Sequence, residues 1–591
     1  ALRLGALEHH IGGVAQRKPG LRVSGANRIR RPGSSVRHYF VIGINEKAVC
    51  LRASAVKTKI IRCSSRRNHF WHIFTWLDTV RSLQLASRGT TYTTQLHETM
   101  QISYIDLAIV IVYLVGVTLF GAHFRRGQQN LRDYFLGGRT APWWAIACSV
   151  VATETSTLTI ISTPGIAYAG NLGFLQLVIG YLVARVILCL VLVPQYFQGE
   201  FYTAYQLLEK RFGTRMKSAA AVIFLGTRAL AEGVRISAIG KVVSVAFGTG
   251  ETLSIVIIAT LTFFYTFEGG MRAVIWTDVL QFALYITGSI AAFLLLLHKI
   301  PGGWPAVTQA AAAAGGKLTV FDFAFSLTKS YTFWSGLLGG TFLTMASHGT
   351  DQTMVQRLLA SRNERDSKTA LLTSGVIIFA QFALFLVLGV MLFVYAQHFA
   401  LANPGGDPDK IYPRFIVHSM PVGLVGIVLA SIFAIAMSNA SGSLNSLASS
   451  SIIDLGARRG ESGTQSLVRS RKLTLAWGVV LGILGLVHWG PVLVAGLTIA
   501  SITYGATLGV FLLGTWNRRA NETGALVGFV IGIAVMIAIK FLTPLAWTWY
   551  VLVGTLITFA VGSLASTFAG GAHKEAATTQ PFYCLLYTSD A

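Results

Sequence analysis

Between residues 147 and 165 the chain reads ACSVVATETSTLTIISTPG, apolar at both ends and crowded with oxygen in the middle. Thr153, Glu154, Thr155, Ser156, Thr157 and Thr159 fall within seven positions. A charged side chain at mid-membrane costs roughly 2.5–3.5 kcal/mol even on lenient insertion scales. The surrounding backbone also ends in Pro164-Gly165. A helix broken here frees carbonyl and amide groups, which coordinate ions only where they line a cavity. The chemistry on offer is coordination of an ion and a solute.

A second polar stripe runs through SIFAIAMSNASGSLNSLASSSIIDL at 431–455. Ser438, Ser441 and Asn445 stand at i, i+3 and i+7 and share one helical face. A set of oxygens without a charge of its own suits a hard monovalent cation, since Mg²⁺ and Ca²⁺ normally require carboxylates. Arg228, Glu232 and Arg235, at i, i+4 and i+7, read as a neutralised ion-pair ladder. Glu154 has no partner in its own span, so it either pairs with one of these two arginines across the bundle or contacts substrate or a second cation. His348 and Asp351, close to the basic stretch Arg357–Arg362, read as helix-end packing. The five cysteines (Cys50, Cys63, Cys148, Cys189, Cys584) have no metal or disulfide spacing. No nucleophile triad, phosphate loop or zinc motif is present, so the sequence gives no support to an enzyme.

These residues sit in a membrane protein. Of 591 residues 53% are hydrophobic and only 12% charged, and mean hydropathy is +0.59. The net charge of +24 does not point to nucleic acid, because residues 1–99 hold 17 Lys/Arg against 4 Asp/Glu and supply much of it. That stretch lacks sustained periodicity and precedes Met100, so 1–99 is expected to be an unfolded upstream extension. Residues 100–570 are expected to form the transmembrane domain. Residues 571–591 are expected to be a short cytoplasmic tail with a non-native end, TTQPFYCLLYTSDA.

From Met100 onward thirteen apolar segments are long enough, or nearly so, to cross a bilayer, the first at 103–122 and the last at 546–568. Loops after odd-numbered segments carry 20 Lys/Arg and those on the other side 6. The positive-inside rule then puts the N-terminus of the first span outside and the C-terminal tail in the cytoplasm. Two spans look interrupted: 142–169 at the hydroxyl cluster, and 331–352 at Gly339-Gly340-Thr341. They lie five spans apart. Inverted-repeat transporters place broken helices at matching positions of each half and bind substrate and ions between them.

Five motifs in order carry a family likeness: APWWAIACSVVATETS at 141–156, LLEKRFG at 207–213, EGGMRAVIWTDVLQ at 268–281, TDQTMVQRLLASR at 350–362 and AMSNASGSLNSLASSSIIDL at 436–455. The chain resembles the sodium:solute symporter family over roughly residues 100–570. The resemblance implies an all-α integral membrane protein of about 13 transmembrane helices. Its core is a five-plus-five inverted repeat (LeuT-like), with one extra N-terminal helix and two C-terminal helices. It also implies sodium-coupled import of a small polar organic solute in a plasma (bacterial inner) membrane, with lipid as surroundings, no nucleic acid and no obligatory protein partner. Carried over by motif, the Na⁺ site falls on Ala152, Thr155, Ile435, Ser438 and Asn439. The family prefers Ser or Thr at the last of these, where an Asn carbonyl oxygen can still ligate Na⁺. Asp278 falls on the sodium exit route, or else pairs with a neighbouring arginine.

Substrate candidates are Glu154, Thr159, Gln176, Gly339, Gly340 and Thr344. Sugar-transporting relatives carry an aromatic gate on span 7, whereas this chain offers Thr344, Ser347 and His348 there, so sugar specificity is not inherited. If Glu154 faces the solute, a cationic solute fits. If an arginine holds it, a carboxylate solute remains open. A proton-coupled permease of the same fold, with Glu154 as carrier, is the alternative.

Overall fold

The computed structural model describes residues 39–44, 47–52, 102–123, 131–248, 250–256, 270–399, 406–456, 463–487, 489 and 492–569. The chain divides into two units, Ala1–Thr94 and Gln95–Ala591. The described part of the first is an antiparallel hairpin of β1 (Tyr39–Ile44) and β2 (Lys47–Arg52), the one departure from an all-helical chain among the described residues. The other residues of 1–99, the span expected near 252–267 beyond residue 256, Glu268 and Gly269 of the third motif, and the tail 571–591 lie outside the described residues.

The second unit is built from helices α1 (Tyr104–His123), α2 (Trp143–Glu154), α3 (Thr157–Ala169), α4 (Leu175–Val191), α5 (Thr214–Phe247) and α6 (Gly270–Lys299). It continues through α7 (Gly340–Gly349), α8 (Gln352–Leu359), α9 (Glu364–Phe399), α10 (Leu424–Ser450), α11 (Gly463–Gly485), α12 (Val492–Trp516), α13 (Glu522–Leu542) and α14 (Tyr550–Phe568). Among the described residues seven helices are long and apolar enough to cross a bilayer, or eight if α2 and α3 count as one span. Thirteen apolar segments in sequence thus do not all become long apolar helices. At 34 residues α5 is long enough but carries Arg228, Glu232 and Arg235 in its middle, and α4 has only 17 residues.

The hydroxyl cluster does break the helix. α2 and α3 meet at 60°, because Thr155 and Ser156 take extended backbone angles. Ser and Thr side chains compete for backbone hydrogen bonds, which favours caps over helix interiors. Here the Ser156 N–H donates to Thr159 Oγ1 at 3.2 Å and the helix restarts. The carbonyl of Ala152 thereby loses the partner that a continuous helix would give it.

The second expected interruption is not at Gly339-Gly340. Both residues have right-handed helical angles, and a π-helical turn, Ser335–Gly339, runs straight into α7. The break comes ten residues later, where Asp351 caps α8 by accepting from the Thr353 N–H at 2.8 Å. The glycines serve packing instead. A Cβ on Gly340 would meet the carbonyl of Leu177 on α4, and one on Gly339 the carbonyl of Thr548. The polar helix α10 lies deepest, buried along 89% of its most apolar stretch against 22% for α1. Lipid cannot satisfy its many hydroxyls, so its neighbours must.

Candidate functional site

Glu154 ends α2 and points into the bundle, where Arg185 of α4 meets it in an ion pair. The Arg185 Nη1 donates to the Tyr181 carbonyl at 3.1 Å and its Nε to Ser374 Oγ of α9 at 3.3 Å. His348 Nε2 lies 3.3 Å from both Glu154 and Arg185, and its Nδ1 is 2.9 Å from Ser347 Oγ. Four helices are therefore knotted around one carboxylate. Glu154 does pair with an arginine, but not one of the α5 ladder. Arg185 was the residue that sequence reasoning missed. A single arginine in the apolar run YLVARVILCLV carries the same signal as Glu154, an unaffordable charge in search of a partner.

Three of the expected cation residues, Thr155, Ile435 and Asn439, come together at the break. Asn439 Nδ2 donates to the carbonyls of both Thr155 and Ile435 at 3.0 Å. Thr155 Oγ1 accepts from Gln381 Nε2 at 2.7 Å, and the Tyr285 hydroxyl donates to Gln381 Oε1 at 3.0 Å. Ser438 Oγ donates to Asp278 Oδ1. Asp278 Oδ2 accepts from Ser149 Oγ at 2.5 Å and from Arg357 Nη2 at 3.1 Å. Asp278 and Arg357 are both fully buried. Gly442 makes room for this guanidinium, since a Cβ there would lie 2.6 Å from Arg357 Nη2. Of the two readings of Asp278, pairing with an arginine is the one the structure contains.

Beside these groups lies a cavity of about 130 Å³, several times what one ordered water needs. Glu154 and Thr159 line it together with Thr344, Ser347 and His348 of α7. Arg228 and Arg235 of α5 also line it, as do the rings of Phe174, Tyr181, Phe382 and Tyr504. Phe174 and Phe382 stack with ring centroids 5.3 Å apart. Three expected substrate residues are not in its lining. Gln176 is spent on the loop before α7, donating to the carbonyls of Gly173 and Tyr331 and accepting from the Asp322 N–H at 3.0 Å. Gly339 and Gly340 pack against backbone, as above.

A smaller space toward Tyr205, Phe224 and Thr507 shares Arg228, Ala231, Asp351 and Tyr504 with the main cavity. Those four residues form the septum between the two, closed by the Tyr504 hydroxyl donating to Asp351 Oδ2 at 2.7 Å.

A broken helix beside a cavity lined by charged groups fits a transporter core, and comparison with known proteins agrees. The model of the sodium:solute symporter family matches residues 134–532, and the chain belongs to that family. It is 30% identical to the sodium/sialic acid symporter of Aliivibrio fischeri, over 79% of this chain and 94% of that protein. It is 29% identical to the sodium/sialic acid symporter of Proteus mirabilis, over 80% and 96%. A solved Na⁺-coupled sialic acid symporter in a substrate-bound outward-open state superposes with a TM-score of 0.73 at 28% identity, covering 79% of this chain and 98% of that one. The protein is thus an integral membrane transporter and not an enzyme, with Na⁺ as its coupling ion.

Proposed function

We propose that this transporter imports a small polar solute bearing a carboxylate, driven by the sodium gradient, through alternating access. The observation that carries the carboxylate is Arg235. Its Nε is buried without a hydrogen-bond partner in the cavity wall. Its Nη1 shares Glu232 with Arg228, at 3.0 and 3.8 Å, so two guanidiniums face one carboxylate. Asp351 is occupied elsewhere, by the α8 N-terminus and Tyr504. A carboxylate on the solute supplies the missing acceptor, and a guanidinium fork binds carboxylates in two-point fashion. Glu154, held by Arg185, does not call for a cationic solute. Proton coupling through Glu154 loses support for the same reason, because Arg185 occupies the group that would take up and release the proton. The sialic acid named for the relatives is a solute of this class.

Thirteen spans with the first starting outside remain the arrangement favoured by the loop charges, and a five-plus-five repeat in a bacterial inner membrane is what the family likeness implies. Sodium at the α2–α3 break and solute beside it would share the same mobile helices, so each raises the other's affinity. Uptake of labelled sialic acid and of simple monocarboxylates into proteoliposomes tests the reading. Saturable uptake is expected only under an inward sodium gradient. Arg235→Gln is expected to raise the solute KM about 10- to 100-fold, as loss of a charged hydrogen bond does. Sodium-independent uptake, or an unchanged KM, would overturn it.

A further inference from the structure

We infer that Asn439 is a rotating plug in the sodium site, and that it sets how tightly this chain binds sodium. The inference rests on the sodium-coupled reading and adds to it a residue that excludes the ion as well as receiving it. The amide Nδ2 stands 3.0 Å from two buried carbonyl oxygens, Thr155 at the helix break and Ile435 on α10. An NH₂ group between two carbonyls does there what a cation does, presenting positive charge to both oxygens at once. The opposite atom, Oδ1, is buried and has no hydrogen-bond partner. A buried acceptor left open costs free energy, so this orientation of the amide is held by the carbonyls alone.

The reverse orientation would set Oδ1 against those same two oxygens, acceptor against acceptor. It becomes favourable only with a cation between them. The amide therefore has two states, nitrogen inward without sodium and oxygen inward with it. A second unpartnered amide stands on the neighbouring helix α6. Gln281 lies on α6 at i+3 from Asp278, which touches Ser438, and at i−4 from Tyr285, which touches Thr155. Both of its polar atoms are buried without a partner. A hydroxyl at position 439 would be a ligand without being a plug, because it is too short to bridge the two carbonyls. The plug makes sodium compete with a pair of internal hydrogen bonds and keeps the carbonyls satisfied when sodium has left.

The test needs no solute. Full-length protein in detergent is titrated with NaCl against choline chloride at constant ionic strength, and the sodium-dependent rise in melting temperature gives the affinity. Asn439→Ser should bind sodium about tenfold more tightly than the parent. Asn439→Asp, the same shape with no donor, should bind tighter still and melt lower than the parent in choline alone. Weaker or equal sodium binding in Asn439→Ser would overturn the plug and leave Asn439 a plain ligand, with sodium coupling intact. No sodium-specific shift in the parent or in either variant would overturn the coupling reading itself and the plug with it.

Discussion

Arg185→Met is expected to cost about 3–5 kcal/mol of stability, the penalty for leaving a buried charge without its partner. Glu154 is only 10% exposed, and the ion-pairing partner left to it is the His348 imidazole at 3.3 Å. Glu154→Gln/Arg185→Met should recover most of that loss, because an uncharged amide and an apolar side chain need no pairing. The lost Ser374 contact matters little, since that hydroxyl keeps the Leu371 carbonyl at 2.7 Å. Thermal melts of the parent, both single variants and the double variant close the cycle, and the coupling energy isolates the pair. If the double variant were as unstable as the two single losses added together, the ion pair would not be what holds α2, α4 and α7. The same cycle separates structure from binding. Arg185 should move melting temperature strongly, whereas Arg235, which lines the cavity and has an unpartnered donor, should move the solute KM.

This division explains which parts of the site could be read from sequence. Charges in apolar spans announce themselves through their cost, so Glu154 and the α5 ladder were visible. So was the α2–α3 break, because local hydroxyl chemistry decides it. The partner of a buried charge is a matter of tertiary packing, and nothing local to Glu154 prefers Arg185 over Arg228. Asp278 shows the same limit. Its motif is legible, but Arg357 reaches it from 79 residues away, and only because position 442 is a glycine. Expected spans at 103–122, 523–541 and 546–568 fall on α1, α13 and α14, since lipid-facing helices obey composition. The interior helices obey it less, as their polar atoms are satisfied by one another.

Gly340→Ala is expected to destabilise the protein by about 1–3 kcal/mol, the usual cost of overpacking, although alanine is the better helix former by about 1 kcal/mol. The sign follows from what the methyl group would strike. Gly336 and Gly340 stand four apart and both face α4, a small-xxx-small surface of the kind that lets membrane helices approach at backbone distance. A Cβ on Gly336 would lie 2.7 Å from the Gln176 carbonyl oxygen, and Gly180, on the other side, would meet the Gly336 and Leu337 carbonyls at 2.5 and 2.8 Å. These obstacles are backbone, so no side-chain rotation relieves them. Thr341 adds a hydroxyl that donates to the Leu337 carbonyl at 2.6 Å and reaches that of Gly180 at 3.2 Å. The glycine pair that reads in sequence as a broken helix is therefore a close contact between two intact ones. Gly180→Ala should lower the melting temperature comparably, and the double variant should cost less than the two combined, because both methyl groups force the same helices apart. Melts of the three variants in detergent decide the point. A normal melting temperature for Gly340→Ala with a raised solute KM would return that residue to the solute site and remove it from the α4–α7 contact.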